Sequence, residues 1–183
     1  MNKVYVMLAD GFEESEAIVP VDLLRRAGVD VILVSMNETA NVLGSHGISI
    51  VADEIFAQCD WDQASLLMLP GGKVGTENLE RHAGLRELLL SAEEKGIELA
   101  AICAAPRVLG RLGLLRGKPA CCYPGNEDLL LGAQVIYEPV ATAESVITSR
   151  GMGTAFAFGL ALVRRLCGEE TAARIARQTV YDA

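Results

Sequence analysis

The sequence predicts a single α/β domain in which helices cover both faces of a mostly parallel β-sheet. Short apolar segments alternate along the chain with segments of helical periodicity, as they do in βαβ proteins. Hydrophobic residues make up 51% of the chain and aromatic residues only 5%, a balance typical of aliphatic strands wrapped by Ala-rich helices. The 183 residues suffice for one core and contain no repeat or linker, so residues 1–183 are expected to form one domain.

The opening of the chain predicts a βαβ unit. Residues 3–8 form an apolar run that ends in an Ala-Asp-Gly turn. Residues 13–27 have helical spacing up to Gly28, a typical helix-terminating glycine. Residues 30–35 form the next predicted strand. Residues 42–52, which two glycines interrupt, predict a hairpin of two short strands.

The rest of the chain continues this alternation. The further predicted strands are 66–69, 98–102, a short one at Val135, 140–143 and 145–149. The further predicted helices are 85–95, 104–112, 154–166 and 169–178. Ligands of parallel sheets bind beyond the carboxyl ends of the strands. Residues 10–16, residues 70–75 and Cys103 all follow such ends, so we expect them to line one crevice.

Charge and hydropathy exclude two classes of partner. The net charge is −8 and the basic residues are scattered, which argues against direct binding of nucleic acid. No apolar run approaches the roughly 20 residues that span a bilayer. Asp10 comes too early for a signal peptide, so we expect a cytoplasmic protein.

Neither a metal nor an organic cofactor is expected. The five cysteines form no C-x-x-C pair, and in a reducing compartment they should be free thiols. The two histidines are His46 and His82, and no group of Cys and His has zinc-ligand spacing. His82 lies in a polar stretch and is predicted to be a solvated surface residue, whereas His46, on the hairpin, could approach a pocket.

Cys103 is the main candidate for chemistry. It ends a predicted strand and precedes a predicted helix, where free N–H groups and the helix dipole are expected to lower the pKa of its thiol. Its small neighbours, including Ala104, suit a crowded turn, and Pro106 suits the first turn of a helix. The alternative is a buried, inert core cysteine.

Two nearby segments supply candidate partners. Gly71 and Gly72 follow a buried strand and form either an oxyanion hole or an ordinary turn. Of the three acidic residues that begin the first helix, Glu13 and Glu14 are expected only to complement the helix dipole. The third, Glu16, is the candidate proton carrier, with a pKa raised by burial and by a nearby thiolate. Cys121 and Cys122 could lie near the same crevice.

Four motifs in register resemble the ThiJ/PfpI superfamily, in particular its parkinsonism-associated deglycase branch. They are Ala-Asp-Gly-Phe-Glu-Glu-Ser-Glu at 9–16, Leu-Pro-Gly-Gly at 69–72, Ala-Ala-Ile-Cys-Ala-Ala-Pro at 100–106 and Thr-Ser-Arg-Gly at 148–151. The resemblance covers essentially the whole chain. It implies a flavodoxin-like three-layer sandwich, a homodimer, and a nucleophile elbow at Cys103 beside a protonated Glu16.

The resemblance also assigns the remaining site residues. It implies an oxyanion hole at Gly71, Gly72 and Ala104. It places Ser149, Arg150 and Gly151 beside the site, and Asp22 and Arg26 near the dimer interface and the pocket mouth.

Two departures from the family pattern stand out. Tyr123 stands where the branch often has His, and tyrosine, with a pKa near ~10, is a poor base at neutral pH. His46 stands where relatives often have arginine. Because Ala104 follows the cysteine where the protease-like branch has His, the chain is not expected to be a Cys-His peptidase.

The resemblance therefore implies a cofactor-independent glyoxalase or deglycase acting on methylglyoxal or its early glycated adducts. Cys103 would attack the aldehyde, and Glu16 would move protons. The alternative is an oxidative-stress sensor in which Cys103 becomes a sulfinate. A third reading, a chaperone-like holdase, would need an exposed apolar patch that a sequence cannot show.

Overall fold

The computed structural model describes residues 3–92 and 94–181. Its strands are β1 (Lys3–Leu8), β2 (Asp30–Ser35), β3 (Asn41–Leu43), β4 (Ser49–Val51), β5 (Glu54–Ile55), β6 (Ala64–Leu69), β7 (Glu98–Ile102), β8 (Pro119–Ala120), β9 (Gln134–Val135), β10 (Val140–Thr142) and β11 (Val146–Ser149). Its α-helices are α1 (Glu14–Arg26), α2 (Lys73–Arg81), α3 (Ala83–Ala92), α4 (Pro106–Arg111), α5 (Ala155–Cys167) and α6 (Glu169–Gln178). Single turns of 3₁₀ helix occur at Phe56–Gln58, Trp61–Gln63, Glu127–Leu129 and Met152–Thr154.

Seven strands form the central sheet, in the order β10-β11-β7-β6-β1-β2-β5. All neighbours pair in parallel except β10, which runs antiparallel to β11 at the edge. Short separate ladders join β3 to β4 and β8 to β9. The predicted mostly parallel sheet is confirmed.

Two hydrophobic cores lie on opposite faces of this sheet. Because successive side chains of a strand point to opposite faces, Val4 and Val6 of β1 enter one core and Tyr5 and Met7 enter the other. The first core contains side chains of α1, α5 and α6, and the second contains side chains of α2, α3 and α4. The result is the predicted flavodoxin-like three-layer sandwich.

Most predicted elements are confirmed, with shifted ends. The predicted strands 3–8, 30–35 and 98–102 and the predicted helix 169–178 have the observed bounds. Residue 93, inside the predicted helix 85–95, lies outside the described residues. Within the described parts of the chain, no helix is long and apolar enough to cross a bilayer.

Four details differ from the prediction. Helix α2 was not predicted, because Gly75 interrupts the helical pattern of the sequence; in the fold this glycine lies against the Phe12 backbone. Strands β5 and β8, of two residues each, were also missed. The predicted helix 104–112 begins two residues late, after the turn that follows Cys103. The strand at Val135 pairs with β8 outside the main sheet.

Candidate active site

Cys103 lies on a strained turn between β7 and α4. Its φ of +66° is in the left-handed region that non-glycine residues seldom adopt. Two backbone hydrogen bonds hold it there: its N–H donates to the Ser149 carbonyl (3.0 Å), and its carbonyl accepts from the Tyr123 N–H (2.8 Å). Such strain persists where surrounding structure enforces it, and it clusters at functional sites. The predicted elbow therefore has the expected geometry.

The Glu16 carboxyl lies beside this thiol. Glu16 is in the first turn of α1 and only 1% exposed, and Oε2 accepts a hydrogen bond from the Gly71 N–H (3.0 Å). The backbone N–H of Met152 is a further donor, and the carboxyl forms a side-chain hydrogen bond with Cys103. Burial raises the pKa of Glu16 from 4.5 to about 7. The predicted rise in the pKa of Glu16, with burial as a cause, is present in the structure.

The expected lowering of the Cys103 pKa is wrong. Burial, followed by the charge of Glu16 and its hydrogen bond, raises the pKa of the thiol from 9.0 to about 12. The backbone N–H groups of Gly72 and Ala104 lower it, but by less. The desolvation of a half-buried sulfur beside a carboxylate outweighs the helix terminus, which is the only one of these effects that is visible in the sequence. The thiol therefore needs a base at the moment of reaction.

The oxyanion-hole prediction needs one correction. The backbone N–H groups of Gly72 and Ala104 approach the Cys103 sulfur and are placed to hold an anion there. The Gly71 N–H instead donates to Glu16, so it is not free for an oxyanion. Gly71 has a different role: a Cβ atom there would lie 2.6 Å from the Cys103 Cβ and would also clash with the Glu16 carboxylate. Only glycine leaves room for the Cys–Glu pair.

A cavity of about 610 Å³ opens onto the Cys103 thiol. Its lining includes Tyr123, which confirms that this residue faces the same space as Cys103. Lys73, from the predicted crevice segment 70–75, also lines it. Four residues that were not predicted complete the wall: Arg107, Pro124, Asn126 and Met152. No sequence signal marked these four, because they come from α4 and from later loops that only the tertiary fold brings to the cavity. Arg107 is tied to Glu80 (Nη2 to Oε2, 3.1 Å), so its charge is largely compensated.

Several predicted site residues lie apart from this cavity. Ser149 does not line the cavity, but it lies beside the site: its carbonyl accepts the Cys103 N–H (3.0 Å), and its buried hydroxyl donates to the Pro139 carbonyl (2.7 Å). The Arg150 guanidinium lies over the Tyr137 ring, 5.9 Å from its centroid. Asp22 and Arg26 pair with each other (2.6 Å) on the exposed face of α1, outside the cavity wall.

The two histidines and the adjacent residues Cys121 and Cys122 differ partly from expectation. His82 is not a solvated residue: it is half-buried, and its Nδ1 accepts the Leu85 N–H (3.0 Å) in the first turn of α3. Cys121 and Cys122 are buried and do not line the cavity. His46 does line it.

Glu14 is more than a dipole-complementing charge, which corrects the expectation. Its side chain is nine-tenths buried, and Oε1 accepts the His46 N–H (2.7 Å) from the hairpin. Burial alone would raise the pKa of Glu14, but hydrogen bonds from His46 and Ser45 lower it to about 2. Glu14 therefore anchors the β3–β4 hairpin to α1. Glu13, Glu14 and His46 together form a group of potential metal ligands.

Comparison with known proteins finds relatives along nearly the whole chain. The model of the DJ-1/PfpI family matches residues 2–165. The chain is 38% identical over 176 residues to Protein DJ-1 homolog B of Arabidopsis thaliana, covering 95% of this chain but only 40% of that protein. It is 37% identical over 174 residues to Protein dj-1beta of Drosophila melanogaster, covering 94% and 93% of the two chains.

Two further matches bear on chemistry. The chain is 29% identical over 166 residues to a protein of Pyrococcus abyssi named a deglycase, covering 90% of this chain and 99% of that one. Among solved structures, the oxidized DJ-1 of Toxoplasma gondii superimposes with a TM-score of 0.95 at 34% identity and covers 100% of both chains.

Proposed function

This chain belongs to the DJ-1/PfpI family, and from that premise we propose that it is a cysteine-dependent glyoxalase or deglycase acting on methylglyoxal or its early adducts. The observation that carries the proposal is the Glu16–Cys103 pair. A buried carboxyl whose pKa is raised to about 7 is hydrogen-bonded to a thiol on a strained elbow. A group that titrates near neutrality can both accept and return a proton at the working pH. The name of the Pyrococcus abyssi relative supports the same reaction class.

The first step forms a carbon–sulfur bond. The Cys103 sulfur attacks the aldehyde carbon while the thiol proton passes to the Glu16 carboxylate. The carbonyl oxygen becomes an oxyanion, which the N–H groups of Gly72 and Ala104 are positioned to stabilise. Return of the proton from Glu16 to this oxygen gives a neutral hemithioacetal. A raised thiol pKa is compatible with this step because the base is already in contact.

The second step moves hydrogen between two carbons. Glu16 removes the proton from the former aldehyde carbon and delivers it to the neighbouring ketone carbon, while the hydroxyl proton of the first carbon moves to the oxygen of the second. The product is a 2-hydroxy thioester on Cys103. Water hydrolyses this thioester, releasing lactate and restoring the thiol. The overall reaction adds one water to methylglyoxal and needs no oxidant or cofactor.

The cavity has room for more than methylglyoxal. Its volume of about 610 Å³ falls within the range of about 300–1,000 Å³ that holds drug-sized ligands. An early adduct of the aldehyde with an amine or thiol would therefore fit beside Cys103. This space favours adducts as substrates in addition to the free aldehyde.

A second candidate function is oxidation sensing. The Toxoplasma gondii relative was solved as an oxidized protein, and Gly72 and Ala104 could donate to sulfinate oxygens at Cys103. Formation of a sulfinic acid would consume two peroxide molecules and release two waters. The raised pKa of the Cys103 thiol opposes this function, because oxidation requires the thiolate.

We also propose that the protein is a homodimer. Large apolar side chains are exposed on α1 and on the β3–β4 hairpin, at Ile18, Leu43, Ile48 and Val51. Burying such side chains between two copies would remove them from water. Sedimentation equilibrium of the full chain tests this: a monomer at micromolar concentration would contradict it.

The test of the catalytic proposal is lactate formation from methylglyoxal without glutathione. We expect activity in the wild type, its loss in Cys103→Ala, and a reduction of about 10²–10⁴-fold in Glu16→Gln, since that variant loses general acid–base catalysis. Cys167→Ala, on α5 and outside the cavity wall, is the matched control and should retain activity. Equal activity in wild type and Cys103→Ala would refute the mechanism. Absence of lactate, with selective oxidation of Cys103 at low peroxide, would favour the sensor.

A further inference from the structure

Four polar atoms from α1 and the β3–β4 hairpin meet at the edge of the cavity. Ser45 Oγ lies 3.1 Å from Glu13 Oε2, 3.1 Å from Glu14 Oε2 and 3.0 Å from His46 Nδ1. The same His46 nitrogen lies 3.4 Å from Glu13 Oε2 and 3.0 Å from Glu14 Oε2. One nitrogen and three oxygens thus form a tight group.

These close contacts outnumber the hydrogens available to them. With both carboxylates ionised, only the Ser45 hydroxyl and the His46 ring carry a hydrogen on these atoms, one each. Five contacts of 3.0–3.4 Å therefore share two hydrogens. The excess of lone pairs facing one another is a reason for a cation to bind between them.

The spacing suits a tetrahedral metal ion. Zinc binds nitrogen and oxygen ligands at about 2.0–2.1 Å, which places neighbouring ligand atoms of a tetrahedron about 3.3–3.4 Å apart. Five of the six separations among these atoms are 3.0–3.4 Å, within a few tenths of an ångström of that spacing. The spacing is therefore compatible with one tetrahedral ion among the four atoms.

The rest of each carboxylate is already held by the protein. Glu14 Oε1 accepts the His46 N–H (2.7 Å), and Glu13 Oε1 accepts the Ser15 hydroxyl (3.1 Å). Each glutamate therefore presents Oε2 to the group while its other oxygen is fixed, an arrangement that orients metal ligands. Glu13 and His46 also line the cavity, so an ion has a path from solvent.

We propose that Glu13, Glu14, His46 and Ser45 form a binding site for a divalent ion of the zinc class at the mouth of the cavity. Imidazole together with carboxylate favours zinc and neighbouring transition metals over Mg²⁺ or Ca²⁺, which prefer oxygen-only sites. The site shares the cavity with Cys103, but the proposal does not depend on the proposed reaction. The sequence did not predict it, because His46 is 32 residues from Glu14.

Calorimetric titration of the chelator-treated full chain with zinc chloride tests the site. All titrations use a Cys103→Ala background, so that the thiol cannot bind the metal and the result does not depend on catalysis. We expect one Zn²⁺ per chain, with affinity reduced about tenfold or more by His46→Gln and by Glu13→Gln. His82→Asn is the matched control, because it changes the other histidine and should leave the affinity unchanged.

Imidazole ¹⁵N NMR gives a second readout on the same background. With only two histidines in the chain, zinc should shift the ring nitrogens of His46 and leave those of His82 in place. No stoichiometric binding at micromolar zinc would overturn the proposal. Binding that persists unchanged in His46→Gln would overturn it as well.

Discussion

The free energy of unfolding of the Glu16→Gln variant should increase, relative to that of wild type, as pH rises from 4.5 to 7. The carboxyl is buried beside Cys103, and burial raises its pKa from 4.5 to about 7. Between these values the unfolded chain carries an ionised Glu16 while the folded chain keeps it protonated. The folded state then binds more protons than the unfolded state, so wild-type stability falls as pH rises.

The size of this effect follows from the pKa difference. At about 1.4 kcal/mol for each pKa unit, the rise from 4.5 to about 7 corresponds to about 3 kcal/mol. Glutamine has the same shape but does not titrate, so the variant lacks this penalty. It does lose an acceptor for one of the two backbone donors, Gly71 and Met152, but that loss does not vary with pH. The pH dependence therefore isolates the ionisation.

Urea denaturation at pH 4.5, 5.5, 6.5 and 7.5 measures the effect, with circular dichroism and Trp61 fluorescence as two probes. The free energy of unfolding of Glu16→Gln, relative to wild type, should rise by about 2–3 kcal/mol over this range and level off above pH 7. Glu14→Gln in a His46→Gln background is the control and is compared with His46→Gln alone, because Glu14 raises the pKa of His46 and that titration would otherwise enter the difference. Hydrogen bonds lower rather than raise the pKa of Glu14, so this difference should not rise between pH 5.5 and 7.5.

A constant difference in the free energy of unfolding between Glu16→Gln and wild type from pH 4.5 to 7.5 would contradict the raised pKa of Glu16. It would mean that Glu16 is ionised in the folded protein at the same pH as in the unfolded chain. The proposed proton carrier would then lack its tuned pKa.

Three further predictions concern the same region. Glu14→Gln should lower the free energy of unfolding at pH 7 by about 3 kcal/mol, a stabilisation that wild type loses as pH falls from 4.5 to 2; equal acid sensitivity of variant and wild type in urea titrations would contradict this. Gly71→Ala should displace the Cys103 thiol and abolish lactate formation, while circular dichroism shows that the protein stays folded. Gly153→Ala, with open space around its added Cβ, should retain activity. Full activity in Gly71→Ala would show that the added Cβ does not disturb the Cys–Glu pair. Glu16→Gln should lower the pKa of Cys103 and speed its alkylation by iodoacetamide at pH 8, measured by peptide mass spectrometry, while Cys59 serves as the unchanged internal reference; a slower reaction at Cys103 would show that the carboxylate does not oppose thiolate formation.

The architecture and the central residue could be predicted from local sequence patterns. Strands such as 3–8 and 98–102 were predictable because a continuous apolar run bounded by turn residues is a local signal. The same locality placed Cys103 between a strand and a helix, where an elbow must form. Glu16 was identifiable from its motif and its position in the first turn of α1.

The pKa values and hydrogen bonds of these residues depend on contacts that form only in the folded chain. The pKa of Cys103 depends on desolvation and on the carboxylate of Glu16, 87 positions earlier in the chain. The helix terminus alone therefore predicted a lowered pKa, whereas the pKa is raised. Likewise, the Gly71 N–H donates to Glu16 because the loop after β6 packs against α1. The His46 N–H donates to Glu14 because the β3–β4 hairpin folds back onto the same helix. Burial and charge act through space, whereas hydrophobic periodicity acts along the chain, and this difference separates what could be predicted from what could not.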